Sequence, residues 1–398
     1  MGPWRHFPAS DLKERPGKVD TGEVAVLDGH RRPQEVPPVP SVDEYLQALV
    51  ESGGSDLHLK AGGPAFVRID GDLKPVTTLP PTSPNDTERL ADEMMDARLL
   101  EAFEDRKEVD FAYSIAGVGR FRVNAFRQRG SVGVVCRRVL PGTQSFASLG
   151  LPPSVRKLAE EQRGLVLVTG PTGSGKTTST AAMISHINAT RRCHIVTLED
   201  PIEVLHRDDH ALIDQREVGV DTDDFATGLK AVSRQDPDVI FIGEMRDLET
   251  VEAALQAAET GHLVISTLHT TDARETINRV VDMYPKESQG QARISLANSL
   301  KGIVCQRLAP RATGQGRVAI VEVLVMTTRT YEFLVDPAQL PMIADAIAEG
   351  GYYGMQTFDQ HLLALYQSGE VALRDALANA TNPHDFRVAL RGAGLAAS

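Results

Sequence analysis

The stretch Gly170-Pro171-Thr172-Gly173-Ser174-Gly175-Lys176-Thr177 matches G-x-x-x-x-G-K-[ST]. It follows the apolar run Leu165-Val166-Leu167-Val168 and precedes a helix-compatible segment over 178–188. Strand, glycine-rich loop and helix in that order make a nucleoside triphosphate site. Gly170, Gly173 and Gly175 let the backbone turn tightly, so that successive N–H groups face a β-phosphate at the positive end of the next helix. Lys176 is expected to reach the β- and γ-phosphates and the Thr177 hydroxyl to hold Mg2+. Pro171, Thr172, Ser174 and Thr178 complete the expected ATP-binding segment. The competing reading is a glycine turn with a purely structural role.

Working outward, short runs rich in Val, Ile and Leu at 165–168, 194–198, 239–242 and 263–266 alternate with helical stretches such as 250–258. That is the pattern of parallel strands buried on both faces, hence an α/β sheet. Residues from about 341 to 390 read as polar-faced helices.

Upstream, Ser41 can cap a helix carrying Val42, Tyr45, Leu46 and Leu49, and Asp56-Leu57-His58-Leu59 alternates like a strand. Further strands are expected at 67–69, 109–113, 120–126 and 132–137, separated by glycine-containing turns. The alternation predicts a small α+β domain whose antiparallel sheet has one wet face. The expected organisation is a disordered, proline-rich extension over 1–40, an N-terminal domain over 41–140, a linker over 141–155 and an ATPase domain over 156–398.

Composition narrows the function. The 398-residue chain is long enough for two domains, and its formal charge of −12 disfavours a general affinity for nucleic acid or anionic lipid. Cys136, Cys193 and Cys305 are widely separated, with no C-x-x-C pair to seed a zinc site or a disulfide framework. No apolar run approaches the roughly 20 residues of a membrane span, so a cytoplasmic location is expected.

Asp238-Val239-Ile240-Phe241-Ile242-Gly243-Glu244 is an apolar strand that delivers an acid at the sheet edge where ligands bind. Glu244 is the expected general base, orienting and polarising the water that attacks ATP; the bland alternative is a first-turn or capping acid. Gly243 stands where many P-loop enzymes carry a magnesium-binding aspartate. Glu199 and Asp200, in Thr197-Leu198-Glu199-Asp200-Pro201-Ile202-Glu203, are the carboxylates expected to serve the Mg2+ shell instead, although Asp200-Pro201 also suits a simple turn. His262 and His269 flank another strand and make a poor metal pair; His269 either senses a γ-phosphate or is a satisfied core residue. Six arginines, Arg120, Arg122, Arg127, Arg129, Arg137 and Arg138, form a solvated face, a nucleic-acid surface or groups that enter another molecule's ATP site. Phe121 and Phe126 alone interleave them, which does not favour single-strand stacking.

With these segments in order, the chain resembles the type II/type IV pilus secretion ATPase superfamily, and within it the twitching-motility retraction ATPases. The matching stretches are Ser55-Asp56-Leu57-His58, Gly119-Arg120-Phe121-Arg122-Val123-Asn124, the P-loop and Glu199-Asp200-Pro201-Ile202-Glu203. They continue through Gln215-Arg216-Glu217-Val218, Gly243-Glu244-Met245-Arg246-Asp247 and Thr267-Leu268-His269-Thr270. The resemblance implies a PAS-like N-terminal domain, a RecA-like P-loop ATPase domain and a homohexameric ring peripheral to the cytoplasmic membrane. Each ATP would lie between one subunit's ATPase domain and a neighbour's N-terminal domain, with Arg120, Arg122 and Arg137 reaching it. Glu199 and His269 gain a role near magnesium and the γ-phosphate. The implied partner is the inner-membrane platform protein of a pilus, with no direct contact to nucleic acid. Assembly and type II secretion ATPases usually carry a longer N-terminal region and a four-cysteine zinc module, both missing here, which favours retraction. The retraction family's Ala-Ile-Arg-Asn-Leu-Ile motif falls where this chain has Arg329-Thr330-Tyr331-Glu332-Phe333-Leu334, so an accessory, paralogous retraction ATPase stays open. Two other readings are a nucleotide-binding scaffold that strengthens a sister ATPase and a nucleic-acid translocase.

Overall fold

The computed structural model describes residues 40–69, 71–139, 142 and 144–395. The extension expected over 1–40 lies outside the described residues, apart from Pro40.

Ser41 opens the helix Val42–Glu51, and its N–H donates to Glu44 Oε1 at 3.3 Å, a capping arrangement that fixes the helix start. Val42, Tyr45, Leu46 and Leu49 fall on one face at helical spacing and are all buried against the first sheet. That sheet comprises β1 (Asp56–Lys60), β2 (Phe66–Ile69), β3 (Asp72–Pro75), β4 (Glu108–Ile115), β5 (Gly119–Gln128) and β6 (Ser131–Val139), in the order β3-β2-β1-β6-β5-β4. Every pairing is antiparallel. Along β5, Phe121, Val123 and Ala125 are buried while Arg122 is exposed, so the period of two puts Arg120 and Arg122 on the other face. This is the PAS-like α+β part. Sequence reading missed β3, whose four residues are all exposed and therefore carry no apolar signal.

The second sheet contains β7 (Gly164–Thr169), β8 (His194–Glu199), β9 (Leu212–Glu217), β10 (Val239–Ile242), β11 (Leu263–Leu268), β12 (Leu300–Pro310) and β13 (Arg317–Val325). Its order is β13-β12-β7-β11-β10-β8-β9, parallel throughout except for the antiparallel pair β12 and β13. β7, β10 and β11 are buried at every position, because helices cover both faces. Leu165, Leu167, Val196, Leu198 and Ile240 face a core shared with the helices Phe225–Val232 and Leu248–Glu259 and with the C-terminal helices. Val166, Val168, Ile195, Val239 and Phe241 face the helices Pro153–Ala159 and Lys176–Thr190. The fold is thus α/β, with the RecA-like sheet following the antiparallel one. Among the described residues, no helix is long and apolar enough to cross a membrane.

Register gathers the motifs. Ile242 pairs with Leu198 on one side and Ser266 on the other, and Leu268 pairs with Thr169. The residues that follow these strand ends, Gly170, Glu199, Glu244 and His269, therefore converge on one edge of the sheet.

Candidate active site

The loop after β7 turns through Gly170 (φ 147°), Gly173 (φ 78°) and Gly175 (φ 90°), and Gly175 caps the helix Lys176–Thr190. A Cβ on Gly170 would lie 2.3 Å from the Gln306 carbonyl oxygen, so both φ and space require glycine there. Gln306 on β12 braces the loop: its Nε2 donates to Ser174 O at 2.8 Å and its Oε1 accepts from Ser179 Oγ at 2.7 Å. This brace was not legible in the sequence, where β12 was not read as a strand. The Ser174 hydroxyl is buried without a hydrogen-bond partner among the described residues.

Lys176 is 9% exposed, and its ammonium donates to Gly170 O at 2.7 Å and Pro171 O at 3.2 Å. Burial pulls its pKa below the usual lysine value, against the opposing pull of Glu244 and Glu203. The same ammonium lies 3.3 Å from His269 Nδ1, and His269 Nε2 lies 3.4 Å from Glu244 Oε1. An ammonium only donates, so Nδ1 accepts and the imidazole proton sits on Nε2, facing the carboxylate. Glu244 Oε2 takes Arg246 Nε at 3.0 Å, and Arg246 Nη1 stands 3.4 Å from Asp200 Oδ2. Lys176, His269, Glu244, Arg246 and Asp200 form one connected chain across the strand ends. His269 is in the site; His262 is not, since its Nδ1 is spent on Ala257 O at 2.9 Å.

Gly243 is small for a reason. A Cβ there would meet Leu198 O at 3.3 Å and Glu199 Cα at 3.4 Å, a tight fit in which β8 would have to give by a few tenths of an ångström. The Gly243 carbonyl instead accepts from Thr267 Oγ1 at 2.6 Å, which sets the backbone from which Glu244 projects.

Glu199 is 7% exposed and accepts from Thr197 Oγ1 at 2.7 Å and Gln215 Nε2 at 3.0 Å. Burial raises its pKa, and those two hydrogen bonds oppose the rise. Asp200, which precedes Pro201 through a cis peptide bond, is half-exposed. A cavity of about 490 Å3 is lined by Thr172, Gly173, Gly175, Lys176, Thr177, Thr178, Glu199, Asp200, Glu203, Glu244, Arg246, His269 and Arg317. Gly170, Pro171 and Ser174 stand in the loop behind it. Arg246 and Arg317 are additions of the tertiary structure: Arg246 sits in the Gly243-Glu244-Met245-Arg246 segment, whereas Arg317 carries no local signal.

None of Arg120, Arg122 and Arg137 lines that cavity in its own chain. Arg120 Nη2 is 2.8 Å from Glu217 Oε2, Arg122 Nη1 is 3.7 Å from Glu203 Oε1, and Arg137 Nε is 2.7 Å from Asp56 Oδ1. Arg138 lines a neighbouring recess with Thr177 and Thr178.

Strand ends, phosphate loop and paired acids define a P-loop ATPase of the RecA-like kind. The profile of the type II/IV secretion system protein family matches residues 33–333, and the chain belongs to that family of ATP-hydrolysing enzymes. It is 42% identical to the type IV pilus retractation ATPase PilT of Pseudomonas aeruginosa over 345 residues, covering 87% of this chain and 99% of that one. It is 41% identical to the type IV pilus ATPase PilU of the same organism over 349 residues, covering 88% and 91%. The crystal structure of the pilus retraction motor PilT with bound ADP matches with a TM-score of 0.80 at 45% identity, over 87% of this chain and 98% of that one.

Proposed function

We propose that this chain is the subunit of a homohexameric, ATP-driven motor that powers type IV pilus retraction from the cytoplasmic face of the inner membrane. The observation that carries the reading is the unbroken chain from Lys176 through His269 to Glu244 at the mouth of a phosphate loop, in a protein over 40% identical to retraction ATPases along most of its length. Glu244 projects from a strand end hydrogen-bonded to β8 through Gly243 N and to β11 through Met245 N, so its carboxylate is positioned to orient a water and accept its proton. His269, held by Lys176 on one nitrogen, reports to Glu244 what the P-loop lysine is doing on the other side. The P-loop amides and Lys176 bind the phosphates.

Magnesium fits the donors present. Thr177, Glu199 and Asp200 offer oxygen ligands only, which suits a hard cation, while no group of three or more His, Cys, Asp or Glu among the described residues could hold a metal alone. A cation that keeps its waters and takes nucleotide oxygens needs no such group. When bound, it would neutralise charge on the phosphates.

Of the arginines assigned by resemblance to a neighbour's ATP, Arg122 and Arg137 have side chains 44% and 68% exposed, and a neighbouring subunit would meet them. Such an arginine is worth about a thousandfold or more in rate, which would tie hydrolysis to ring assembly. The motor would act on the inner-membrane platform protein and release pilins from the fibre base. A second reading is an accessory retraction ATPase that assists a principal one; the chain is as similar to PilU, at 41%, as to PilT, at 42%.

Deletion of the gene, with complementation by the native chain and by Glu244→Gln, tests both. Abundant surface pili without twitching, rescued by the native gene alone, support an active retraction motor. Rescue by Glu244→Gln would leave only the accessory, non-hydrolysing reading, and cells without pili would refute retraction.

A further inference from the structure

Glu217 ends β9 directly beside Glu199, its register partner on β8. Its side chain is 3% exposed, yet its Oε2 accepts two hydrogen bonds that arrive from different parts of the molecule. One is the Ile202 N–H at 2.9 Å, from the loop that joins Glu199 to Glu203. The other is Arg120 Nη2 at 2.8 Å, from β5 of the first sheet. The Glu217 backbone is locked in place: its N–H donates to Asp221 Oδ2 at 2.8 Å and its carbonyl accepts from Asp221 N at 2.8 Å. The next residue, Val218, donates its N–H to Glu199 O at 2.8 Å. Glu217 cannot follow a guanidinium that leaves.

Arg120 is committed from its own side. Its side chain is 19% exposed, Nη1 reaches Ser114 Oγ at 3.3 Å, and Nε is buried with no hydrogen-bond partner among the described residues. A part-buried guanidinium is held by its charge partner, and pulling the pair apart leaves each charge uncompensated. One guanidinium also cannot occupy Glu217 and a neighbouring subunit's γ-phosphate together.

We propose that Arg120 acts within its own chain as a positioning residue: through Glu217 it anchors the Ile202 amide, and so sets where Asp200 and Glu203 stand at the nucleotide cavity. A rotation of the first sheet against the second then reaches those carboxylates directly, without passing through nucleotide. Arg120 leaves the set of arginines that serve a neighbour, and Arg122 and Arg137 remain in it. This rests on the ATPase motor reading for the reaction that is measured.

The test uses the purified full-length chain and steady-state ATP hydrolysis, with Arg120→Ala, Glu217→Gln, the double variant and Arg122→Ala. Each is also mixed with Lys176→Ala, whose arginines are intact but whose P-loop is disabled. A misplacement of about 1 Å at a catalytic loop costs about a hundredfold, so Arg120→Ala is expected to lose about that much kcat. Because the nucleotide contacts themselves remain, KM is expected to stay within about threefold. Glu217→Gln is expected to lose kcat similarly, and the double variant to be no worse than the poorer single, because both break one route. Arg120→Lys, which keeps the charge, should recover part of the loss. Mixing with Lys176→Ala should leave Arg120→Ala inactive and restore Arg122→Ala. Recovery of Arg120→Ala on mixing, or losses that multiply in the double variant, would overturn the inference. If mixing fails to restore Arg122→Ala, the proposal that it serves a neighbouring subunit falls, while the double-mutant comparison still decides the role of Arg120. Should Arg120→Ala not fold, Arg120→Gln takes its place in the same cycle.

Discussion

Replacing Glu322 by glutamine should abolish a pH dependence of stability that the fold builds in. Glu322 lies on β13, opposite Cys305 of β12, and accepts the Ala273 N–H at 3.0 Å, at the start of the helix that follows His269. Burial is the main cause that lifts its carboxyl from the ordinary 4.5 to about 7; Asp272 adds to the rise, while the Ala273 N–H, Arg307 and Cys305 oppose it. Between those two pH values the folded chain keeps a proton that the unfolded chain has released. The unfolded state binds fewer protons there, so stability falls as pH rises from about 4.5 to about 7 and is level above. The span from 4.5 to about 7, at about 1.4 kcal/mol per pH unit, amounts to about 3 kcal/mol. Glutamine keeps an oxygen for the Ala273 N–H and has no proton to lose. Urea unfolding of the native chain and Glu322→Gln at pH 5, 6, 7 and 8 should therefore show an advantage for the variant that grows from about 1 kcal/mol at pH 5 to about 3 kcal/mol by pH 8. Parallel curves, with a gap that does not change over that range, would refute the reasoning, because they would mean that Glu322 ionises in the folded chain as it does in the unfolded one.

Three further outcomes are expected. Gly170→Ala forces a Cβ to within 2.3 Å of Gln306 O at a φ of 147°, so nucleotide affinity should drop by at least about tenfold in a fluorescent-nucleotide titration. Unchanged affinity would mean that the loop tolerates a different path. Gly243→Asp, which installs the acid many P-loop enzymes use at this place, should lower kcat rather than raise it, because the Cβ already meets Leu198 O at 3.3 Å; a gain in Mg2+-dependent rate would contradict the packing argument. His269→Ala removes the link between Lys176 and Glu244 and should cost about a hundredfold in kcat with nucleotide binding kept, whereas a loss confined to KM would make His269 a binding group only.

Most of the site was legible because its parts are contiguous in sequence. The P-loop, the acid after β10 and the histidine after β11 each sit within a few residues of an apolar strand, so strand ends could be located and the ligand edge inferred. β12 escaped for the opposite reason, whereas β13, apolar from Val318 to Val325 except at Glu322, carried a strand signal that was not read. Lys301, Gln306 and Arg307 interrupt the apolar character of β12, and its place beside β7 is decided by pairing across more than a hundred residues. Gln306, the brace of the P-loop, was lost with it. Arg317 and Arg246 line the cavity through side-chain reach rather than through pattern.

The amino-acid sequence by itself determined the class of this protein: where β7, β8, β10 and β11 lie, which loop has the phosphate-binding pattern and which acid stands at the strand end. Those features depend on neighbours within about ten positions, over which backbone geometry is set by local sterics and periodicity. Only the tertiary structure decided which partners the arginines meet within the chain. Arg120 and Glu217 are 97 residues apart, and Lys176 and His269 are 93 apart. A charged side chain shows no preference among distant partners until the packed sheets remove water and leave it one within reach.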